Sequence, residues 1–218
     1  MVGDRNRKGM GSLMAALGVL AIGISPALAI DVQLSMDDAH KTLEAGRAPM
    51  DKANTPEEVK KVLQQASMAT RVGADPEKDS CGASAILRTK RYRLEAFGRQ
   101  EASESKKRKT DIRMPEEFIR KVIDMPNMEV EVQLCGDDEY FAEGAIMELQ
   151  QGSKRVKAID IGKAERGRKN EGDGPAYRSR FTAVFAYEKF DPNAASVFVI
   201  NLQDGKEVRI NADFSKVK

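Results

Sequence analysis

From Pro126 to the C-terminus the chain alternates apolar and polar residues almost throughout, and this period of two narrows the possible folds more than any other feature. Met128, Val130, Val132 and Leu134 interleave with Glu129, Glu131 and Gln133, the pattern of a strand with one face in a core and the other toward water. Between Tyr177 and Tyr187, Phe181, Ala183, Phe185 and Tyr187 share one face, while Thr182, Val184 and Ala186 give a moderately apolar second face. That strand is expected in the middle of a sheet.

Two hairpins follow from turn chemistry. Tyr140 to Leu149 and Lys154 to Lys163 flank Gln150-Gln151-Gly152-Ser153, and Ser196 to Leu202 and Glu207 to Ala212 flank Gln203-Asp204-Gly205-Lys206. In the second, Asp204-Gly205 suits the positive φ angles of a tight turn. Phe190-Asp191-Pro192-Asn193 is another turn, and Gly167 to Pro175 is a polar, glycine-rich loop. Ala83 to Phe97 adds a candidate strand in which Tyr92, Leu94 and Ala96 alternate with Arg91, Arg93 and Glu95. About seven short strands without alternating helices exclude a βαβ arrangement and predict an α+β fold, with an antiparallel β-sandwich or partly closed barrel as its main part.

Helices are expected before the strands. Ser35 can cap a segment from Met36 to about Ala45, with Met36, Ala39, His40 and Leu43 on one face and Gly46 as a stop. Thr55-Pro56-Glu57-Glu58 is a capping box with proline at the first helical position. The helix it opens carries an apolar stripe of Val59, Val62, Leu63 and Ala66 that must pack on something. Met114-Pro115-Glu116-Glu117 opens a further helix buried on Phe118, Ile119, Val122 and Ile123 and stopped by Pro126, whereas Glu101 to Asp111 is charged enough to read as an exposed loop. The domain organisation expected is therefore a helical segment over 30–75 and a mainly antiparallel β domain over 76–218, with one inserted helix at about 115–124.

Residues 1–29 read differently. Arg5, Arg7 and Lys8 precede an uncharged run from Leu13 to Ile24, and Ser25-Pro26 leads into Ala27-Leu28-Ala29, the order of a cleavable export signal with cleavage before Ile30. The run is shorter than the roughly 20 apolar residues a membrane-spanning helix needs. The expected product is a periplasmic or secreted protein with no transmembrane anchor after cleavage. Without residues 1–29, three basic and one acidic, the precursor's 36 Lys+Arg and 34 Asp+Glu become 33 of each. A near-neutral chain gives no reason to expect nucleic acid as a partner. Export also places Cys81 and Cys135 where a disulfide persists. If the candidate strands beginning at Ala83 and ending near Leu134 pair antiparallel, the two cysteines meet, closing a loop worth roughly 4 kcal/mol in the chain-entropy model.

Catalytic vocabulary is sparse. His40 is the one histidine, and no nucleophile motif accompanies it. No phosphate loop is present, and neither the acidic run Asp137-Asp138-Glu139 with Glu143 nor Glu171 with Asp173 has the spacing that wraps calcium. No cofactor, metal site or catalytic residue is assigned. Charge is uneven, however. Ten basic residues against four acidic lie between Arg88 and Arg113, and Lys154 to Lys169 is basic too, whereas Glu129 to Glu148 holds seven acids and no base. The blocks can neutralise each other across neighbouring strands, and Lys106, Lys107, Arg108 and Lys109 form a candidate anion contact. The expected function is that of an exported, non-catalytic binding or structural protein of the cell envelope, its partner an envelope protein or polymer. The alternatives are a carboxylate-dependent hydrolase and a carrier of an anionic ligand or polymer.

Overall fold

A computed structural model of the chain describes residues 30–170, 174–214 and 217. The export-signal reading of Met1 to Ala29 lies outside these described residues. Four helices and two antiparallel sheets make the fold α+β.

The first sheet is built on β3 (Asn127–Gly136) and β8 (Tyr177–Ala186), paired antiparallel from Asn127↔Ala186 to Gly136↔Tyr177. Outside β3 lie β2 (Ser84–Arg88) and then β1 (Arg71–Gly73). Outside β8 lie β6 (Asp160–Ile161) and β7 (Arg168–Lys169), so β8 is central, as its two apolar faces predict. The second sheet has the order β10 (Glu207–Asp213), β9 (Ala195–Asn201), β4 (Ile146–Gln151), β5 (Lys154–Lys157). Neither sheet closes on itself, so the barrel alternative is not realised.

Apolar faces of both sheets contribute to one buried cluster. Leu87, Met128, Val130, Val132, Phe181 and Phe185 come from the first sheet, and Met147, Leu149, Phe198, Ile200 and Ile210 from the second. Phe185 and Phe198 sit with ring centroids 5.8 Å apart, and Phe198 and Phe214 at 6.1 Å. These are the residues that the period-two pattern puts inward.

The turns are tighter than expected, and one works differently. Gly152-Ser153 joins β4 to β5 with Gly152 at φ 59°, and the strand after it passes to the other sheet at Ala158–Ile159 instead of continuing to Lys163. Tyr140 to Gly144 is turn, not strand. In the last hairpin only Gly205 takes a positive φ, 83°. Asp204 contributes through its carboxylate, which accepts from the Lys206 N–H at 3.0 Å.

The segment after β2 departs most from the sequence reading. Ala83 to Phe97 is not one strand: β2 ends at Arg88 and α3 (Lys90–Arg108) begins, so Glu101 to Arg108 is helix, not loop, and two helices are inserted among the strands. Thr89 caps α3 by accepting from the Tyr92 N–H at 3.1 Å. The buried positions Leu94, Gly98, Glu101 and Ala102 have helical, not alternating, spacing. Lys90 then donates to the Ile123 carbonyl at the end of α4 (Glu116–Ile123). Within α4, Ile119 and Val122 are buried as expected, but Phe118 is exposed.

Gly46 does not stop α1, which runs Met36–Lys52. Its role is steric. A Cβ on Gly46 would lie 2.1 Å from the Glu95 carbonyl oxygen of α3, and one on Gly98 would lie 2.0 Å from the Leu43 carbonyl oxygen of α1. Two glycines thus let the two backbones approach. Around that crossing, the guanidinium of buried Arg47 binds Asp111 at 2.7 Å, the Ile112 carbonyl at 3.1 Å and buried Glu101 at 3.6 Å, fixing the segment that follows α3. The helix α2 (Pro56–Ala69) forms with its predicted capping box, yet none of its residues is buried and Leu63 is 49% exposed. Its apolar stripe borders an open cleft with Met50, Tyr92 and Ala96, so the packing expected of it is not made within the described residues.

Cys81 and Cys135 are bonded, with Cα atoms 5.3 Å apart. Antiparallel pairing of β2 with β3 brings Ser84 opposite Gln133 and carries the two cysteines together just beyond it.

Two outcomes test this account of the fold. Gly98→Ala should destabilise the protein by about 2 kcal/mol in urea unfolding, because a helix backbone must retreat. Gly162→Ala, whose Cβ would meet nothing nearer than 3.6 Å, should change stability by less than about 0.5 kcal/mol. Equal effects would mean the helix crossing tolerates a methyl group. Replacing both cysteines by serine should remove about 4 kcal/mol of unfolding free energy under non-reducing conditions, and a loss below about 1 kcal/mol would show that the β2–β3 pairing alone closes that loop.

Candidate functional site

Because side chains alternate across a strand, the ladder that buries Val130, Val132, Phe181 and Ala183 turns their neighbours to the opposite face of the first sheet. The register sets Arg71 beside Ile86, Glu131 and Thr182 in one row, Ser84, Gln133 and Arg180 in the next, and Arg88, Glu129 and Val184 in a third. Arg178 follows two residues before Arg180 on the same face, opposite Cys135. Four arginines, Arg71, Arg88, Arg93 and Arg180, surround two glutamates, Glu129 and Glu131.

The contacts are unequal. Arg88 binds both glutamates, Glu129 at 2.5 Å and Glu131 through its other terminal nitrogen. Burial works against the Arg88 charge, but Glu131 and Glu129 outweigh it and its pKa is raised. Arg93, from α3, binds Glu129 at 2.7 Å. Arg180 is only 3.8 Å from Glu131 and donates weakly to Gln133 at 3.4 Å. Arg71 donates to the Ser84 hydroxyl at 2.7 Å and makes no ion pair among the described residues. Burial, and after it the nearby Arg180 charge, lower the Arg71 pKa against the pull of Glu131 and Asp75. Two glutamates thus fix two arginines, and positive charge remains in excess around Arg71 and Arg180.

The strip from Ile159 to Asn170 borders this face along β8. Backbone N–H groups of Ile159, Gly162 and Glu165 donate to the carbonyls of Val184, Thr182 and Arg180 at 2.8, 2.8 and 2.7 Å. Two clefts form between strip and sheet. One, of about 450 Å³, has Ser80, Glu165, Arg168, Asn170, Arg178 and Arg180 in its walls. The other, of about 290 Å³, is walled by Arg88, Glu131, Lys163, Glu165, Arg180 and Thr182. They share Glu165 and Arg180.

The disulfide forms the rim of the larger cleft. Asn170 donates from Nδ2 to Cys81 Sγ at 3.1 Å and accepts from Arg178 at 3.1 Å through Oδ1. The bridge therefore holds both the loop bearing Ser80 and, through Asn170, the guanidinium of Arg178.

The residues singled out from sequence do not gather here. His40 is exposed on α1. Lys106 closes the end of α1, donating to the carbonyls of Met50 at 2.8 Å and Ala53 at 2.5 Å. Lys107 and Arg108 pair with Glu104 at 2.9 and 3.6 Å, and Lys109 is the left-handed residue that ends α3. In the acidic run, Asp138 accepts from the Tyr140 N–H at 2.8 Å and Glu139 binds Arg166 at 2.6 Å. Glu171 and Asp173 lie outside the described residues. The charge blocks do neutralise each other in part, through Arg88 and Arg93 with Glu129 and Glu131, while Arg91 binds Asp31 at 2.6 Å instead.

Sequence reasoning missed Arg71, Arg178 and Arg180. Arg71 lies on a three-residue strand too short to leave a period. Arg178 and Arg180 carried a usable signal: two arginines at alternate positions on a strand whose next alternate face is Phe181, Ala183 and Phe185.

Among the described residues no helix is long and apolar enough to cross a membrane. No protein-family model matches the chain, and no curated protein does. Among solved structures, the chain is similar to the archaellum periplasmic stator protein FlaG from Sulfolobus acidocaldarius at 8% identity over 40% of this chain and 86% of that one, with a TM-score of 0.26, a likeness too slight to carry an argument.

Proposed function

We propose that this is an exported, non-catalytic binding or structural protein of the cell envelope, periplasmic or secreted, and that it engages an anionic partner through the arginine-lined face of its first sheet. The observation that carries the reading is the excess of guanidinium around Glu131, with Arg71 lacking an ion pair among the described residues. Guanidinium groups present planar, forked donors that match carboxylate, sulfate and phosphate oxygens. The disulfide suits an oxidising compartment.

The carboxylate-hydrolase reading has less behind it. A general acid needs a carboxyl group whose pKa is raised. The described carboxylates with displaced pKa values, Asp38, Glu58, Glu104, Asp111 and Asp204, are all displaced downward by hydrogen bonds at the surface. Glu129 and Glu131 are held by arginine.

The tract at 106–109 is the rival anion contact, and charge-matched variants separate it from the sheet face. Fluorescence anisotropy with labelled polygalacturonate and labelled inorganic polyphosphate as probes should show Arg71→Gln/Arg180→Gln weakening binding tenfold or more, given the strength of charge-assisted hydrogen bonds. Lys107→Gln/Arg108→Gln, which removes as much charge, should stay within about twofold. Equal losses would reduce the interaction to net charge. The reverse order would move the site to α3.

A further inference from the structure

The walls of the two clefts carry acceptors as well as cations, and this mixture discriminates among anionic ligands. Glu165 belongs to both clefts, and Glu131 faces Arg180 in the smaller one. Glu165 is 56% exposed and its nearest basic partner, Arg168, is 4.0 Å away, so its carboxylate is available to a donor in the cleft. A polymer whose accessible groups are all anionic oxygens, such as polyphosphate, would be attracted by the arginines and repelled by Glu165 and Glu131. A ligand bearing both acid groups and hydroxyl groups would use every residue, its acids on Arg71, Arg178 and Arg180, its hydroxyls on Glu165, Asn170 and Thr182. Carboxylates are strong acceptors for hydroxyl donors, and a site built to bind them discriminates against ligands that lack them.

Shape and surroundings agree with that chemistry. The clefts join at Glu165 and Arg180 and are of about 450 and 290 Å³, the scale of sites that hold a ligand of several rings. They run open along β8, where Arg178 and Arg180 repeat every second residue on one face, about 7 Å apart, the arrangement suited to a chain with repeated charges. None of the residues that the register places on this face, from Arg71 through Arg88, Glu129, Glu131 and Gln133 to Arg180 and Val184, is aromatic. Single-stranded nucleic acid depends on aromatic stacking platforms.

We propose that the ligand of this face is a linear acidic glycan, a polyhydroxylated chain carrying carboxylate groups, bound along the joined clefts with Glu165 accepting from sugar hydroxyls. The inference rests on the anionic-partner reading above.

Isothermal titration calorimetry of the purified protein tests it with two probes of matched charge, oligogalacturonate of about eight units and short-chain inorganic polyphosphate. The expected result is tighter binding of oligogalacturonate. Glu165→Gln should then weaken oligogalacturonate about fivefold, through loss of a charged acceptor, and should tighten polyphosphate, through loss of a repelling charge. Opposite signs are what a general disturbance of the fold or of local charge would not produce. Polyphosphate binding as tight as the glycan, or a Glu165→Gln change that moves both probes in the same direction, would overturn the glycan assignment and leave the anionic-partner reading standing. Binding of neither probe would overturn that reading itself, and the assignment with it.

Discussion

Ten consecutive residues of β3 are paired with ten of β8, and because side chains alternate along a strand, this one ladder decides two surfaces at once. Its inner positions, Met128, Val130, Val132, Phe181, Ala183 and Phe185, are almost wholly removed from water. Its outer positions carry Glu129, Glu131 and Gln133 against Arg180, Thr182 and Val184. A slip of one residue would exchange the sets, burying glutamate and arginine and exposing phenylalanine. The register that makes the core is therefore the register that makes the charged face. β2 and its disulfide extend the same ladder sideways and place Arg88 and Arg71 beside it.

The helices are joined to the sheet by a different kind of contact. α1 and α3 meet where neither backbone tolerates a Cβ, at Gly46 and Gly98, so close approach rather than broad side-chain interdigitation fixes their crossing. Arg47 and Glu101 are buried beside that crossing, and their mutual attraction must offset the desolvation of two charges. It does so because further groups complete the set: Asp111, Asp51 and the Ile112 carbonyl for the arginine, and the Met114 N–H for the glutamate. α3 in turn sends Arg93 to Glu129. A helix thus holds one of the glutamates that orders the sheet face.

Legibility followed the range of the interactions involved. The strands after Pro126, the two hairpins, both N-terminal capping boxes and the meeting of Cys81 with Cys135 were readable because periodicity, caps and turn residues act within a few positions. The run at Ala83 to Phe97 misled because Tyr92, Leu94 and Ala96 also satisfy a period of two. The decisive marks were Thr89 as a cap and the helical spacing of Leu94, Gly98 and Ala102. Gly46 read as a stop because local chemistry cannot distinguish a helix-ending glycine from one that admits another helix. The sheet face was the least legible part, since Arg71, Arg88 and Arg180 are far apart in sequence and only the order β1-β2-β3-β8 sets them in adjacent rows. Density of charge pointed instead to residues 106–109, where the helix uses Lys106 to bind backbone carbonyls and Glu104 to pair its neighbours.

The glutamates on that face are better understood as its framework than as its opposition. Four arginines on adjacent strands without counter-charge would repel one another and extend into water as mobile side chains, and any ligand would have to order them at a cost of about 0.5–1.5 kcal/mol for each. Glu129 and Glu131 remove that cost for Arg88 and Arg93 by fixing them before any ligand arrives. The fixed pair then shapes the floor on which Arg180 and Arg71 remain available. Arginine suits both roles, since one edge of a guanidinium can stay paired while another faces outward, which the point charge of lysine cannot do. Charge neutrality of the whole chain and a locally positive, ordered face are thus produced by the same ion pairs.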